Sequence, residues 1–180
     1  KPKRSSAADA HIMETAEFLA AFATSSVKDH ILGLDGTARV ATSADELDAV
    51  MAKQQDPDYR ARDAEEIMLR KNWAATGALL KEDRPAALDL IGVASQLVFN
   101  TFVNGHMAEL EKHSTDLDLI YGVAEAHNRA MLDFCSVDRR LCSGATHCGR
   151  HGSRRLWRRG HSSSSVCCRV ARVWNRRRRP

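Results

Sequence analysis

The distribution of charge limits which part of this 180-residue chain can fold. Residues 1–138 contain 14 Lys and Arg and all 23 Asp and Glu, whereas residues 139–180 contain 13 Arg and no acidic residue. The second segment also lacks the regular spacing of apolar side chains that gives a helix or a strand a buried face. We therefore expect residues 1–138 to form one domain and residues 139–180 to be a disordered tail, because so little apolar surface cannot offset the loss of chain entropy.

Three hypotheses account for the Arg-rich tail. Its arginines could neutralise phosphates, which would make the chain a non-enzymatic nucleic-acid-binding protein. It could bind zinc, although Cys-x5-Cys is not a standard zinc spacing. The residues available for such a zinc site are Cys142, His147, Cys148, His151, Cys167 and Cys168. The third hypothesis, which the sequence favours, is an out-of-frame segment beginning near codon 141, because GC-rich genes read in a shifted frame yield mostly Arg, Ser, Gly, Cys, His and Trp. Sequencing the gene across codons 135–145 separates these hypotheses.

The composition of the whole chain is that of a globular protein. Hydrophobic residues make up 43% and charged residues 28%, and the length suits one domain with a real core. The sequence shows neither a secretory signal nor an apolar run near 20 residues that could span a bilayer. We expect a cytoplasmic protein with reduced thiols and no membrane partner.

The candidate chemistry lies near the start of the chain, where positions 9–14 read DAHIME. If these residues form a strand, its two-residue period points Asp9 and His11 to one face, with their Cα atoms about 7 Å apart. A carboxylate and an imidazole in that arrangement can bind one divalent metal. The alternative is an incidental Asp and His in a polar segment.

This run resembles the first-strand metal motif of the amidohydrolase-related superfamily, in particular its decarboxylase-like branch. Residues 95–102 resemble the second barrel strand of that family. Residues 126–135 resemble the helix before the third strand, where members carry a similar Asn-Arg…Asp-Phe-Cys pattern. The resemblance covers about residues 7–140 and ends where members enter their third strand.

The resemblance implies an α/β fold: the helix-rich N-terminal portion of an incomplete (β/α)8 TIM barrel. It also implies a mononuclear zinc or manganese enzyme, either a hydrolase or a non-oxidative carboxy-lyase, acting on a small carboxylated or cyclic substrate. Asp9 and His11 would be two metal ligands. The family's remaining ligands, a His after strand five and an Asp after strand eight, have no counterpart here. We therefore expect a truncated, inactive chain that binds metal weakly or not at all and self-associates through unpaired strand edges.

Residues 97–103 are apolar on both faces, which predicts a buried parallel strand. The loop at residues 104–106 would leave the carboxyl end of that strand, and in a barrel this end faces the active site. Asn104 and His106 are therefore candidate substrate-binding residues. A plain Asn-Gly turn is the alternative.

The remaining pattern is mainly helical. We expect helices at residues 16–24 and 60–72. A loop that contains Pro57 is expected at residues 54–59, directly before the second of these helices. Asp83 should begin a helix that Gly92 ends.

The longest helix is expected at about residues 115–136, capped by Ser114 or Thr115. On this helix we interpret His127 and Asn128 as packing and capping residues rather than as ligands.

Overall fold

A computed structural model describes residues 5–34 and 44–143 of the chain. Three strands, β1 (Ser5–His11), β2 (Val93–Phe99) and β3 (Leu141–Ser143), form a parallel sheet in the order β1-β2-β3. The α/β class is therefore confirmed. The tail was predicted to be disordered from residue 139, but residues 141–143 form β3, and Cys142, one of the candidate zinc ligands, is buried there. The predictions for residues 144–180, including disorder, the other zinc ligands and nucleic-acid binding, fall outside the described residues.

Helices account for most of the remaining described chain. The α-helices are α1 (Ala16–Ala20), α2 (Ser25–Leu32), α3 (Ala44–Gln55), α4 (Pro57–Ala61), α5 (Asp63–Glu66), α6 (Arg84–Ile91), α7 (Val103–His113) and α8 (Leu117–Cys135). Short 3-10 helices lie at Asn72–Ala74 and Lys81–Asp83. Parallel strands need crossover connections, and here helices α1 to α6 lie between β1 and β2 while α7 and α8 lie between β2 and β3. Within the described ranges, no helix is both long and apolar enough to cross a bilayer.

Two of the predicted helices are confirmed with small differences at their ends. Helix α6 begins after Asp83 and ends at Gly92, whose φ of 71° is the left-handed conformation that favours glycine at a helix end. Helix α8 begins after Asp116, whose carboxylate accepts a hydrogen bond of 3.0 Å from the Leu119 N–H. The cap is therefore Asp116 rather than Ser114 or Thr115.

The predicted loop at residues 54–59 is wrong. Helix α3 continues to Gln55 and α4 begins at Pro57, because proline is well tolerated at the first position of a helix, where its missing N–H has no intrahelical partner anyway. Asp56 caps α4 by accepting a hydrogen bond of 2.9 Å from the Asp58 N–H.

The predicted single helix at residues 60–72 is also wrong. The chain turns after α4 and again after α5, so that the buried Arg70 donates a hydrogen bond of 2.6 Å to the Tyr59 carbonyl oxygen. A straight helix would separate these two residues by about 16 Å along its axis. The helix predicted at residues 16–24 is shorter than expected, because α1 ends at Ala20 and the next helix, α2, begins only after Thr24.

The second strand lies earlier than predicted. Strand β2 ends at Phe99, and α7 begins at Val103, so residues 104–106 form the first turn of α7 and not a loop. The apolar run that predicted a strand continues across this boundary because Val103 is also buried, at the start of a helix. Periodicity cannot distinguish a short buried strand from the buried first turn of a helix.

The buried core consists of two hydrophobic clusters, and helix α8 contributes to both. One hydrophobic cluster joins it to α1, α2 and α7, and the other joins it to the sheet and α6. Gly122 lies where α2 approaches α8, and a Cβ atom at this position would overlap the side chain of Val27. The buried members of the sheet-side cluster are Ile12, Leu88, Val93, Val98, Met131, Phe134 and Leu141.

Candidate functional site

The carboxyl ends of the parallel strands meet at one edge of the sheet, where α/β proteins usually bind their ligands. Strand β1 ends at His11, which pairs with Phe99, the last residue of β2. The next residue, Asn100, is buried at 3% exposure. The predicted metal ligand His11 therefore lies at this edge of the sheet.

The orientation of His11 is set by a backbone carbonyl. The exposed imidazole places Nδ1 2.8 Å from the carbonyl oxygen of Asn100. A carbonyl oxygen only accepts hydrogen bonds, so Nδ1 carries the proton and the neutral ring has its lone pair on Nε2. Histidines that bind metals usually donate their other ring N–H to a carbonyl or a carboxylate in this way. Metal binding by His11 stays a prediction.

The position of Asp9 is less regular than the sequence predicted. Ala7 pairs with Gln96 and Ala10 pairs with Val98, so three steps along β1 match two steps along β2. Asp9 lies within this irregularity, where strict alternation of side chains no longer follows from the strand. Its side chain falls outside the described part of the structure. The placement of Asp9 and His11 on one face stays a prediction.

Glu14 connects the ends of both strands to a helix. Its carboxylate is 3% exposed and accepts hydrogen bonds from the backbone N–H groups of Thr101 at 2.9 Å, Phe102 at 2.6 Å and Val103 at 2.9 Å. The first N–H groups of a helix have no intrahelical partner, and a negative charge is favourable there. The last residue of the DAHIME run therefore organises the start of α7. Sequence reasoning missed this role because Glu14 and its partners are far apart in the chain.

Arg84 places a buried positive charge near the same edge. Its guanidinium donates hydrogen bonds to Gln96 Oε1 at 2.9 Å, to the Gly77 carbonyl at 2.9 Å and to the His11 carbonyl at 3.3 Å. Burial lowers the pKa of Arg84, and the nearby Cys135 opposes this shift. The sequence analysis treated this position only as the start of a helix. Among the described residues no carboxylate forms an ion pair with this guanidinium, and such a charge favours the approach of anionic groups.

Several buried polar atoms near this edge have no hydrogen-bond partner in the described part of the chain. They include the Asn100 side-chain nitrogen, Trp73 Nε1 and Thr76 Oγ1. The ring of Trp73 stacks on that of Phe102, with centroids 5.5 Å apart and planes at 12°. Buried polar groups are normally satisfied, so such atoms mark places where a polar ligand or water can bind.

The two predicted substrate-binding residues both lie on α7. Asn104 is exposed on its first turn, and His106 is half-buried with its Nε2 atom 3.1 Å from Nε2 of His30. The structure thus brings His106 together with another histidine. Substrate binding by Asn104 and His106 stays a prediction.

His127 is buried, in agreement with its interpretation as a packing residue. Its side chain is 1% exposed, and Nδ1 lies 3.2 Å from Asn128 Oδ1. Burial lowers the pKa of His127 to about 4, since no nearby charge compensates the imidazolium form.

Within residues 5–34 and 44–143, no group of three or more His, Cys, Asp or Glu side chains is arranged to hold a metal ion. His11 with Asp9 would provide two ligands.

No family model, curated protein or solved structure matches the chain. The functional interpretation therefore depends on the residues and contacts of the chain itself.

Replacing Glu14 should loosen the start of α7. In Glu14→Ala, three backbone N–H groups lose a buried carboxylate, and we expect local opening to become easier by about 2–3 kcal/mol. The amides of residues 101–103 should then exchange hydrogen about 30-fold faster or more. Hydrogen-exchange mass spectrometry measures this rate. Glu17→Ala, which removes an exposed carboxylate, should leave it nearly unchanged, and equal exchange in both variants would contradict the assigned role.

The buried His127 should make the fold sensitive to acid. Its pKa is about 4 in the folded state, against about 6.5 in the unfolded state, so the unfolded chain binds a proton first as the pH falls below 6.5. This residue should therefore cost about 2 kcal/mol of stability between pH 7.5 and pH 5. Urea unfolding of wild type and His127→Gln at the two pH values measures the difference. The exposed His113→Gln is the control, and an identical pH slope in wild type and His127→Gln would exclude the effect.

Proposed function

We propose that residues 5–143 form the first three strands of a metal-dependent barrel enzyme related to the amidohydrolase superfamily. In this proposal Asp9 and His11 supply two ligands to one zinc or manganese ion. The reaction is hydrolysis or non-oxidative cleavage of a C–C bond in a small carboxylated or cyclic substrate.

The observation that carries the proposal is the hydrogen bond from His11 Nδ1 to the Asn100 carbonyl oxygen. It fixes the tautomer and the ring orientation of a histidine that lies at the carboxyl end of the first strand. A hydrogen bond of this kind also raises the basicity of the metal-binding nitrogen. The donor set of His11 and a carboxylate suits a divalent zinc or manganese ion.

The arrangement of the strands supports the same proposal. Three parallel strands in sequence order, joined by helical connections, correspond to the first strands of a (β/α)8 barrel. In such a barrel the active site lies at the carboxyl ends of the strands, where His11 lies. The barrel itself remains part of the proposal.

The chain's own groups near this edge fit a carboxylated substrate. The buried guanidinium of Arg84 favours a negative charge nearby. When bound, the metal would activate a water molecule or orient the substrate carboxylate. Two protein ligands are fewer than the three typical of catalytic zinc, so we expect weak metal binding by the described residues alone.

Titration of the full chain with Mn2+ tests the first-strand site. The signal of free Mn2+ in electron paramagnetic resonance falls as the ion binds, which gives a Kd without any assay of activity. We expect His11→Ala and Asp9→Ala each to weaken binding about tenfold or more. Binding to the wild type should also weaken on acidification, because a histidine must be neutral to coordinate.

The matched control is His113→Ala, which removes an exposed histidine that pairs with Glu109 on α7. It should leave the Mn2+ affinity unchanged. If the affinity is the same in wild type, His11→Ala and Asp9→Ala, the first-strand assignment is wrong.

A further inference from the structure

Two histidines from distant parts of the chain face each other between α2 and α7. Nε2 of His30 lies 3.1 Å from Nε2 of His106, and the ring centroids are 5.3 Å apart with the planes inclined by 37°. Both side chains are half-buried. In a hydrogen bond between two neutral imidazoles, one Nε2 donates its proton and the other accepts it with its lone pair.

The two helices that carry these histidines are held in place by the core. His30 lies next to the fully buried Ile31, and His106 lies next to the buried Met107. Both apolar neighbours belong to the hydrophobic cluster around α8, against which α2 and α7 pack. The imidazoles therefore extend from two rigid elements, which reduces the entropy that is lost when a ligand binds both.

We propose that His30 and His106 form a two-histidine site for one divalent transition-metal ion, which links α2 to α7. A zinc–nitrogen bond is about 2.0–2.1 Å long, so two nitrogens on one tetrahedral ion lie about 3.3 Å apart. The observed separation of 3.1 Å is close to this value, and rotation of the two rings would point both lone pairs at the ion. Water completes the coordination. The role of this site is to stabilise the packing of the helices, and it uses neither Asp9 nor His11 of the proposed first-strand metal site.

The protonation state of His106 favours metal binding at neutral pH. Burial lowers the pKa of this residue, and the positive charge of a protonated His30 would lower it further. The imidazole is therefore neutral, which is the form that coordinates. Imidazole ligands suit Zn2+, Ni2+ and Cu2+, whereas Mn2+ stands lowest in the affinity order of the divalent first-row metals. Zinc is therefore the metal that tests this site. Since zinc would also bind at His11, the test reads His30, His106 and their two helices directly.

Chemical modification of the wild-type chain tests the proposal without a variant. Diethyl pyrocarbonate modifies neutral imidazoles, and mass spectrometry reports the rate at each histidine. Zinc at ten times its Kd should slow the modification of His30 and His106 about tenfold, because only the metal-free fraction reacts. The rate at the exposed His113 should not change. Equal rates at His30 and His106 with and without zinc would show that the pair is only a hydrogen bond, and would overturn the proposal.

Hydrogen exchange provides the second measurement. Zinc should slow amide exchange in both Ser25–Leu32 and Val103–His113, because it links the two helices. His30→Gln and His106→Gln, which keep a polar side chain, should each abolish this effect in both helices. His113→Gln and His11→Ala should retain it. Protection that persists in both His30→Gln and His106→Gln would place the zinc elsewhere, for example on the cysteines and histidines of the tail.

Discussion

The buried carboxylate of Glu14 joins the end of β2 and the start of α7 to the chain that follows β1. By accepting hydrogen bonds from three successive N–H groups at the start of α7, it fixes the end of β2 and the beginning of the helix that follows. Glu14 follows His11 by three residues, so the same contact limits where the end of β1 can lie. The hydroxyl of Thr101 donates a further hydrogen bond of 2.6 Å to the carbonyl oxygen of Ile12, which lies between His11 and Glu14 in the chain. The candidate site is therefore positioned by a buried charge that takes no part in its proposed chemistry.

Two hydrogen bonds to backbone carbonyl oxygens hold His11 in place. Its ring donates to the Asn100 carbonyl, while its own carbonyl accepts from Arg84. Arg84 reaches this position because Gly77 has no side chain: a Cβ atom there would lie 2.7 Å from the Arg84 Cα. The φ of 74° at Gly77 also favours glycine. Because the ring of His11 donates to a backbone carbonyl, its orientation does not depend on which side chain stands at position 100.

Features with local causes could be predicted from the sequence. The end of α6 at Gly92 and the extent of α8 follow from patterns within a few residues, and the structure confirms them. The α/β class, which the resemblance implied, is also confirmed. The errors have two origins. The start of α4 was missed although its signal, Asp56 followed by Pro57, is local. The end of β2, by contrast, depends on Glu14, and the pairing of His106 with His30 joins residues 76 positions apart. No pattern within one segment records such contacts. The resemblance to amidohydrolases, and with it the role of Asp9, remains a prediction.

The sequence distance between Glu14 and α7 also has a consequence for the order in which the protein folds. Helix α8 and its contacts with α7 involve neighbouring segments, which can meet after a short loop closes. The bonds of Glu14 join residues 87 to 89 positions apart, and contacts of such high separation form slowly because the loop entropy must be lost first. We therefore expect the edge that carries His11 to be among the last parts of the domain to become ordered, after the helices on which it rests.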